Sequence, residues 1–340
     1  MSEKLRERVR ELAALWGPSG REHKVRDALQ ARVAPFVDEV RTDGFGNLLA
    51  VRKGKEGGRR VLLAAHMDTP GAIALNVSEK GLIYLAPVGG LKAHQVVGQR
   101  VVWGSGAVGV LQYEHADEPK ELSFKKVFCD IGASSKDQAL ERVRLGDMCT
   151  LAGQVEFWGD LAVGPGLDNR LGCAVLLEVA ERLKDSPHTV LFAFTSQGEV
   201  APRGASVAAF GAEPDLAVLV DSALSGDQPG ARQVATRLGG GPALRLKDSG
   251  FVAHHLLSEK LFAVAGAEAI PLQRCVSPTG SEGWTVHSAG PGVPTAVIDI
   301  PVRYQGTGGE MADIRDAEGA ADLLLRLLGR PLDLDEREVE

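Results

Sequence analysis

Five side chains in this sequence have the types and the placement to hold a divalent cation: His66, Asp68, Asp168, Glu199 and Asp221. His66 and Asp68 close the apolar run VLLAAHMD (61–68), and a spacing of two projects both from one face of a strand. Asp168 follows the loop Gly164-Pro165-Gly166-Leu167 and opens a helical stretch. Glu199 ends TVLFAFTSQGE (189–199), and Asp221 ends DLAVLVD (215–221). One imidazole with several carboxylates suits a borderline ion, Zn²⁺ first, with Co²⁺ or Mn²⁺ as alternatives. The chemistry is metal-assisted hydrolysis. Taken singly, each residue has an ordinary explanation. Asp168 can be a helix N-cap, a strand-end carboxylate can be a solvated turn residue, and a lone histidine can belong to the core. The metal reading rests on all of them falling at equivalent ends of buried strands, where open α/β sheets collect functional groups.

The surrounding pattern supplies such a sheet. Short continuous apolar runs at 61–68, 189–199, 215–221 and 294–304 read as strands buried on both faces. Helical periodicity marks 3–15, 21–33, 171–185, 251–270 and 316–329, and a strand pair turns at Asp43-Gly44. Between about 71 and 158 the texture changes to short β-rich pieces divided by glycine turns, with one helical stretch near 135–144. The expectation is an α/β domain of residues 1–70 and 159–340 with a mixed sheet flanked by helices. A small β-barrel-like domain, 71–158, interrupts it. The run Gly239-Gly240-Gly241-Pro242 lacks the lysine and the strand-to-helix context of a phosphate loop and reads as a turn. The acidic end of the chain reads as a solvated tail.

Composition narrows the partners. With 340 residues, 44% hydrophobic and 24% charged, the chain is an ordinary globular one, large enough to need no metal for folding alone. A net charge of −7 argues against nucleic acid and anionic membranes as partners. No apolar run approaches the ~20 residues of a membrane span, and the charged N-terminus reads as an amphipathic helix rather than a signal peptide, so a cytoplasmic protein is expected. Four well-separated cysteines form no zinc-finger spacing and read as buried thiols.

At these residues the sequence resembles the glutamyl and deblocking aminopeptidases that form large tetrahedral particles, some members of which are labelled endoglucanases. The matching pieces are AHMDTPG (65–71), GLDNR (166–170), SQGEVAPRGA (196–205), VDSALSGDQPG (220–230), GPGVPTAVIDIPVRY (290–304) and DIRD (313–316), with FCDIGASSKDQAL (128–140) in the inserted unit. The resemblance implies a zinc-exopeptidase-like fold and a metal-dependent aminopeptidase acting on short peptides. It implies an inserted domain used for dimer contacts, and dimers assembling into a dodecamer. It makes His66, Asp168 and Asp221 ligands of one metal, with Asp168 bridging to a second that Glu199 also binds. Asp68 would orient His66 from behind.

The sequence departs from that pattern at two active-site positions. Gly198 stands where the resemblance implies the glutamate that serves as general base, and Gly306 where it implies the last histidine ligand. One metal site is thus complete, and the second retains only Asp168 and Glu199. Thr69 replaces an acidic residue, and Ser281-Glu282 replaces a Thr-Asp pair. Glycine at 198 and 306 is expected to open space beside the metals. Glu282 and His287 are the candidate replacements for the missing groups. Weakened or altered aminopeptidase activity is the leading expectation. The alternatives are a non-catalytic binding or assembly subunit and a mononuclear-metal deacylase.

Overall fold

The computed structural model describes residues 3–114, 122–230 and 234–334, and residues 335–340 of the acidic tail lie outside it. The chain opens with helices α1 (Glu3–Ala13) and α2 (His23–Val33), then strands β1 (Glu39–Thr42), β2 (Leu48–Arg52) and β3 (Arg60–His66). Six strands follow: β4 (Gly71–Val77), β5 (Ile83–Val88), β6 (Arg100–Trp103), β7 (Val108–Tyr113), β8 (Val127–Asp130) and β9 (Met148–Leu151). They close into a barrel in the order β4-β5-β8-β7-β6-β9, with short helices α3 (Ala93–Val96) and α4 (Lys136–Leu140) alongside. Closure leaves no free edge, so a unit this small can stand out from the main body. Ile83, Leu85, Trp103, Leu111 and Cys129 fill its interior.

The chain then returns through β10 (Glu156–Trp158), β11 (Leu161–Gly164), α5 (Leu167–Arg182), β12 (Thr189–Thr195), α6 (Arg203–Ala212) and β13 (Leu216–Leu224). It continues through β14 (Ala243–Lys247), α7 (His255–Ala267), β15 (Gln273–Val276) and α8 (Gly283–His287), and ends with β16 (Thr295–Arg303), β17 (Glu310–Asp313) and α9 (Ile314–Leu328). The main sheet has eleven strands along the path β1-β2-β12-β3-β13-β16-β17-β11-β10, with β14 and β15 branching from β16. Its centre, β12-β3-β13-β16, is parallel. The apolar runs of these strands are buried on both faces because helices cover both. Helices α1, α2, α5, α7 and α9 share one core, and α6 and α8 share another on the opposite side.

The structure shifts several expected boundaries. Residues 156–158, grouped by the sequence pattern with the inserted unit, pair with β11 in the main sheet. The helix expected from 251 begins at His255, because Val252 first bridges to Lys247. Strands β14 and β15 escaped the sequence reading. They are short, carry arginine or lysine, and lie on a branch of the sheet where no long apolar run is required. The strand leading to Glu199 stops at Thr195, so Glu199 sits in the turn beyond it.

Candidate metal centre

The parallel register brings the site together. Thr195 of β12 pairs with His66 of β3, and Leu219 of β13 pairs with Ala64, so two residues further on Asp221 is level with His66. Asp168 arrives from a different direction, in the first turn of α5, where Gly166 takes the left-handed conformation (φ +75°) that a β-carbon disfavours. Asn169 locks this turn to the sheet. Its Nδ2 donates to the Val220 carbonyl at 2.8 Å, and its Oδ1 accepts from the Gly172 amide.

His66 Nε2 lies 3.5 Å from Asp168 Oδ1 and 3.7 Å from Asp221 Oδ1. Among the described residues these three form the one group of potential ligands whose donor atoms all lie within 4.8 Å of one another. Asp168 Oδ1 is buried with no hydrogen-bond partner. An orphaned carboxylate oxygen facing an imidazole nitrogen and a second carboxylate fits a divalent cation, since leaving such an oxygen dry and unpaired is costly. The protonation of His66 points the same way. Burial opposes its charge, yet Asp168, Asp221 and Asp68 outweigh it and hold the imidazolium well above the ordinary histidine range. Three carboxylates thus surround the ring with negative charge.

Asp68 lies behind His66, fully buried. Its Oδ1 is 3.3 Å from His66 Nδ1, off the line of a well-formed hydrogen bond, and accepts the Gly198 amide at 2.8 Å. Its Oδ2 accepts from Ser19 Oγ at 2.5 Å and from the Glu199 amide at 3.0 Å. One carboxylate therefore holds the 198–199 turn behind the ring, with its charge beside Nδ1.

That arrangement corrects the expected opening at residue 198. A β-carbon on Gly198 would lie 2.5 Å from both Cβ and Cγ of His66. The turn has closed onto the ring, and glycine there is a packing requirement. Gly306 does border open space: its φ is +76° and nothing lies within 4 Å of a β-carbon built there. Its neighbour Gln305 fills part of the region instead, with Nε2 donating to Asp168 Oδ2 at 3.3 Å and to Ser222 Oγ at 2.7 Å.

Of the two candidate replacements, Glu282 lines the cavity and His287 does not. His287 sits on the exposed end of α8, its Nδ1 3.1 Å from the Val293 carbonyl and its ring against Phe251. The cavity measures about 820 Å³ and is lined by His66, Asp168, Gly198, Glu199, Asp221 and Glu282 among others. Glu282 is 4% exposed, and both its oxygens accept from Thr195 Oγ1, at 2.8 and 2.9 Å. Burial raises its pKa to about 7, with His66 opposing and Asp221 reinforcing the shift. Glu199 is likewise pushed well up, by burial and then by the charge of Asp168.

Glu310 has a structural part in the site that the sequence did not signal. It is 1% exposed, and its Oε2 accepts the Leu167 and Asp168 amides at 2.7 and 3.2 Å while Oε1 accepts the Gly306 amide at 2.8 Å. Burial and the nearby Asp168 raise its pKa to about 8. It binds the turn that carries Asp168 to the loop that carries Gln305. A buried cation supports the far side: Arg245 donates to Asp299, Asp248 and the Ser222 carbonyl, and Asp248 accepts from Ser281 beside Glu282. Neither Glu310 nor Arg245 stands in an apolar run whose end would have drawn attention to it.

The M42 glutamyl aminopeptidase family profile matches residues 46–323. A putative aminopeptidase of Acetivibrio thermocellus is 36% identical over 322 residues, covering 94% of this chain and 97% of its own. The crystal structure of a TET aminopeptidase from a marine sediment thaumarchaeote superposes with a TM-score of 0.93 at 31% identity, over 98% of this chain and 99% of that one. The Pyrococcus horikoshii TET1 peptidase, described as assembling into a tetrahedron or a large octahedral shell, superposes with a TM-score of 0.83 at 26% identity, over 95% and 99% of the two chains.

Proposed function

The chain belongs to the M42 glutamyl aminopeptidase family of metal-dependent aminopeptidases, and from that membership we propose that it releases N-terminal residues from short peptides with Glu282 as its proton acceptor. In this reading His66, Asp168 and Asp221 hold a catalytic divalent cation, Zn²⁺ in the first instance. The observation that carries it is the orphaned Asp168 Oδ1 facing His66 Nε2 and level with Asp221. A cation held by these three residues would supply the acidification of a water and the polarisation of the scissile carbonyl. Asp68 fixes the His66 ring from behind and so sets where Nε2 points. Glu282, buried and near neutral in pKa, takes a proton from the attacking water and returns it to the leaving amine. Thr195 Oγ1 steadies that carboxylate throughout, bonded to both oxygens.

Residue 198 has no side chain and no room for one, and the oxygens of Glu310 already accept backbone amides. The test is amino-acid release from a peptide panel, with the protein stripped by chelator and then reloaded with Zn²⁺ or Co²⁺. Turnover restored by metal supports the reading. Metal bound without release from any peptide would replace it with a binding subunit, and release confined to acylated amino acids would replace it with a deacylase.

The barrel, in this reading, is a contact unit between copies of the chain. Leu75, Val108 and Leu145 expose apolar side chains on it, each more than half accessible. Native mass spectrometry of the intact protein and of Leu75→Lys with Val108→Lys tests it, with dissociation of the assembly expected in the double variant.

A further inference from the structure

Resting on the reading of His66, Asp168 and Asp221 as cation ligands, we infer that Gln305 closes the position of a second cation, so that the chain binds one ion where the family pattern implies two. The two oxygens of Asp168 have different surroundings. Oδ1 is buried and unpartnered, 3.5 Å from His66 Nε2. Oδ2, the oxygen free to bridge to a second ion, accepts a hydrogen bond from Gln305 Nε2 at 3.3 Å. The same amide nitrogen donates to Ser222 Oγ at 2.7 Å, on the residue after Asp221. Its two N–H groups thus tie the turn of α5 to the end of β13. A partial positive charge from a neutral side chain satisfies the carboxylate there.

The backbone is shaped to present that side chain. Tyr304 and Gly306 on either side of Gln305 are both left-handed, with φ of +59° and +76°. The Tyr304 amide donates to Gln228 Oε1 and the Gly306 amide to Glu310 Oε1. Holding a tyrosine in this conformation is unfavourable, and it persists because the surrounding bonds determine it.

The remaining groups do not make up a second site. Glu310 has both oxygens committed to the amides of Leu167, Asp168 and Gly306. Gly306 offers no side chain, and Glu199 lies outside the group of donors gathered within 4.8 Å. That leaves Glu199 and an Asp168 oxygen already in a hydrogen bond, short of the three protein ligands usual for a catalytic zinc.

The test is stoichiometry on the full chain, stripped by chelator and titrated with Co²⁺ while its visible absorption is followed, with elemental analysis of the dialysed Zn²⁺ form. One equivalent is expected for the wild type. Gln305→Glu, which cannot donate to Asp168 and adds a carboxylate, is expected to take up two. Two ions in the wild type with affinities within about tenfold of each other would overturn the inference, because Gln305 would then be swinging aside. One ion in both proteins would overturn the assignment to Gln305. No ion in the wild type would instead overturn the underlying reading of His66, Asp168 and Asp221. Circular dichroism and thermal melting of Gln305→Glu keep a folding defect from being mistaken for any of these.

Discussion

Placing one methyl group on Gly198 tests whether the turn beyond β12 is part of the metal centre or a gap left beside it. The added β-carbon would stand 2.5 Å from two carbons of His66, where ordinary contact begins near 3.4 Å, so the backbone or the ring must yield by close to 1 Å. Neither is free to do so. His66 ends β3, paired there with Thr195 of β12, and the 198–199 amides are held by Asp68, the same carboxylate that backs the ring. Overpacking of this kind costs about 1–3 kcal/mol. At roughly 2.1 cal/mol/K per residue, a chain of 340 residues has an unfolding entropy of about 0.7 kcal/mol/K, so Gly198→Ala should melt about 1.5–4 °C lower. If the strain falls on the ring, cation binding must recover the same energy, and affinity drops by about 5- to 150-fold. Differential scanning fluorimetry of the stripped protein reads the first quantity, and Zn²⁺ calorimetry against a competing chelator reads the second. Wild-type melting together with wild-type affinity would refute the packing argument. The same geometry predicts that Gly198→Glu does not rebuild a proton acceptor: its side chain starts inside the volume of the imidazole. A gain of turnover in that variant would refute it equally.

Three further perturbations follow from the contacts around the ions and acids. Glu282→Gln should retain its metal while kcat/KM falls by about 10²–10⁴-fold, as expected for losing a positioned acid–base group. The ionised carboxylate is the acceptor, so wild-type kcat/KM should climb as pH rises toward about 7 and fall below that value, with a bound cation moving the midpoint downward; the limb should vanish in the Gln variant. Asp68→Asn leaves one oxygen to do the work of two and presents an amide to the Gly198 or Glu199 N–H, so calorimetry should show cation affinity about 10–100-fold weaker. Arg245→Met leaves Asp299 and Asp248 buried without their cation, a loss of about 3–5 kcal/mol that should lower the melting temperature by about 4–7 °C.

The parts of this molecule that were legible in the sequence are those where a long apolar run forces one structure. Strands β3, β12 and β13 are buried on both faces, so their runs are continuous, and a polar residue closing such a run marks the carboxyl end of the sheet, where His66 ends β3; β13 runs on to Leu224, so Asp221 lies within it. Asp168 was legible through the glycine turn before it. What could not be read depends on contacts across the fold. Gly198 looks like an opening in the sequence and is a close packing contact in the structure, because only the bonds from Asp68 reveal that the turn folds onto the ring. Glu310 and Arg245 sit in short strands, and the partners that tie them to the site include Asp299, 54 residues from Arg245, and the Leu167 amide, 143 residues from Glu310. Glu282 could be singled out as the acid of the Ser281-Glu282 pair that stands for a Thr-Asp pair, while His287, five residues on, falls on the opposite side of a short helix and points away from the cavity.

The departures from the family pattern also fit one another, which bears on whether this is a decayed site or a rebuilt one. A site losing function without replacement would leave orphaned polar groups wherever a ligand or base was lost. In the proposed reading, the glycine at 198 goes with a turn packed onto His66, and the glycine at 306 with an amide from Gln305 bonded to the second oxygen of Asp168. Glu282 enters the same cavity as an acid with a hydroxyl partner and a raised pKa. The polar atoms left unpartnered at the centre are Asp168 Oδ1 and His66 Nδ1, and the first of these faces the ring nitrogen and carboxylate that complete a single cation site. The proposed one-metal centre requires an unpartnered carboxylate oxygen at this place, facing His66 Nε2 and beside Asp221, and that is where Asp168 Oδ1 lies.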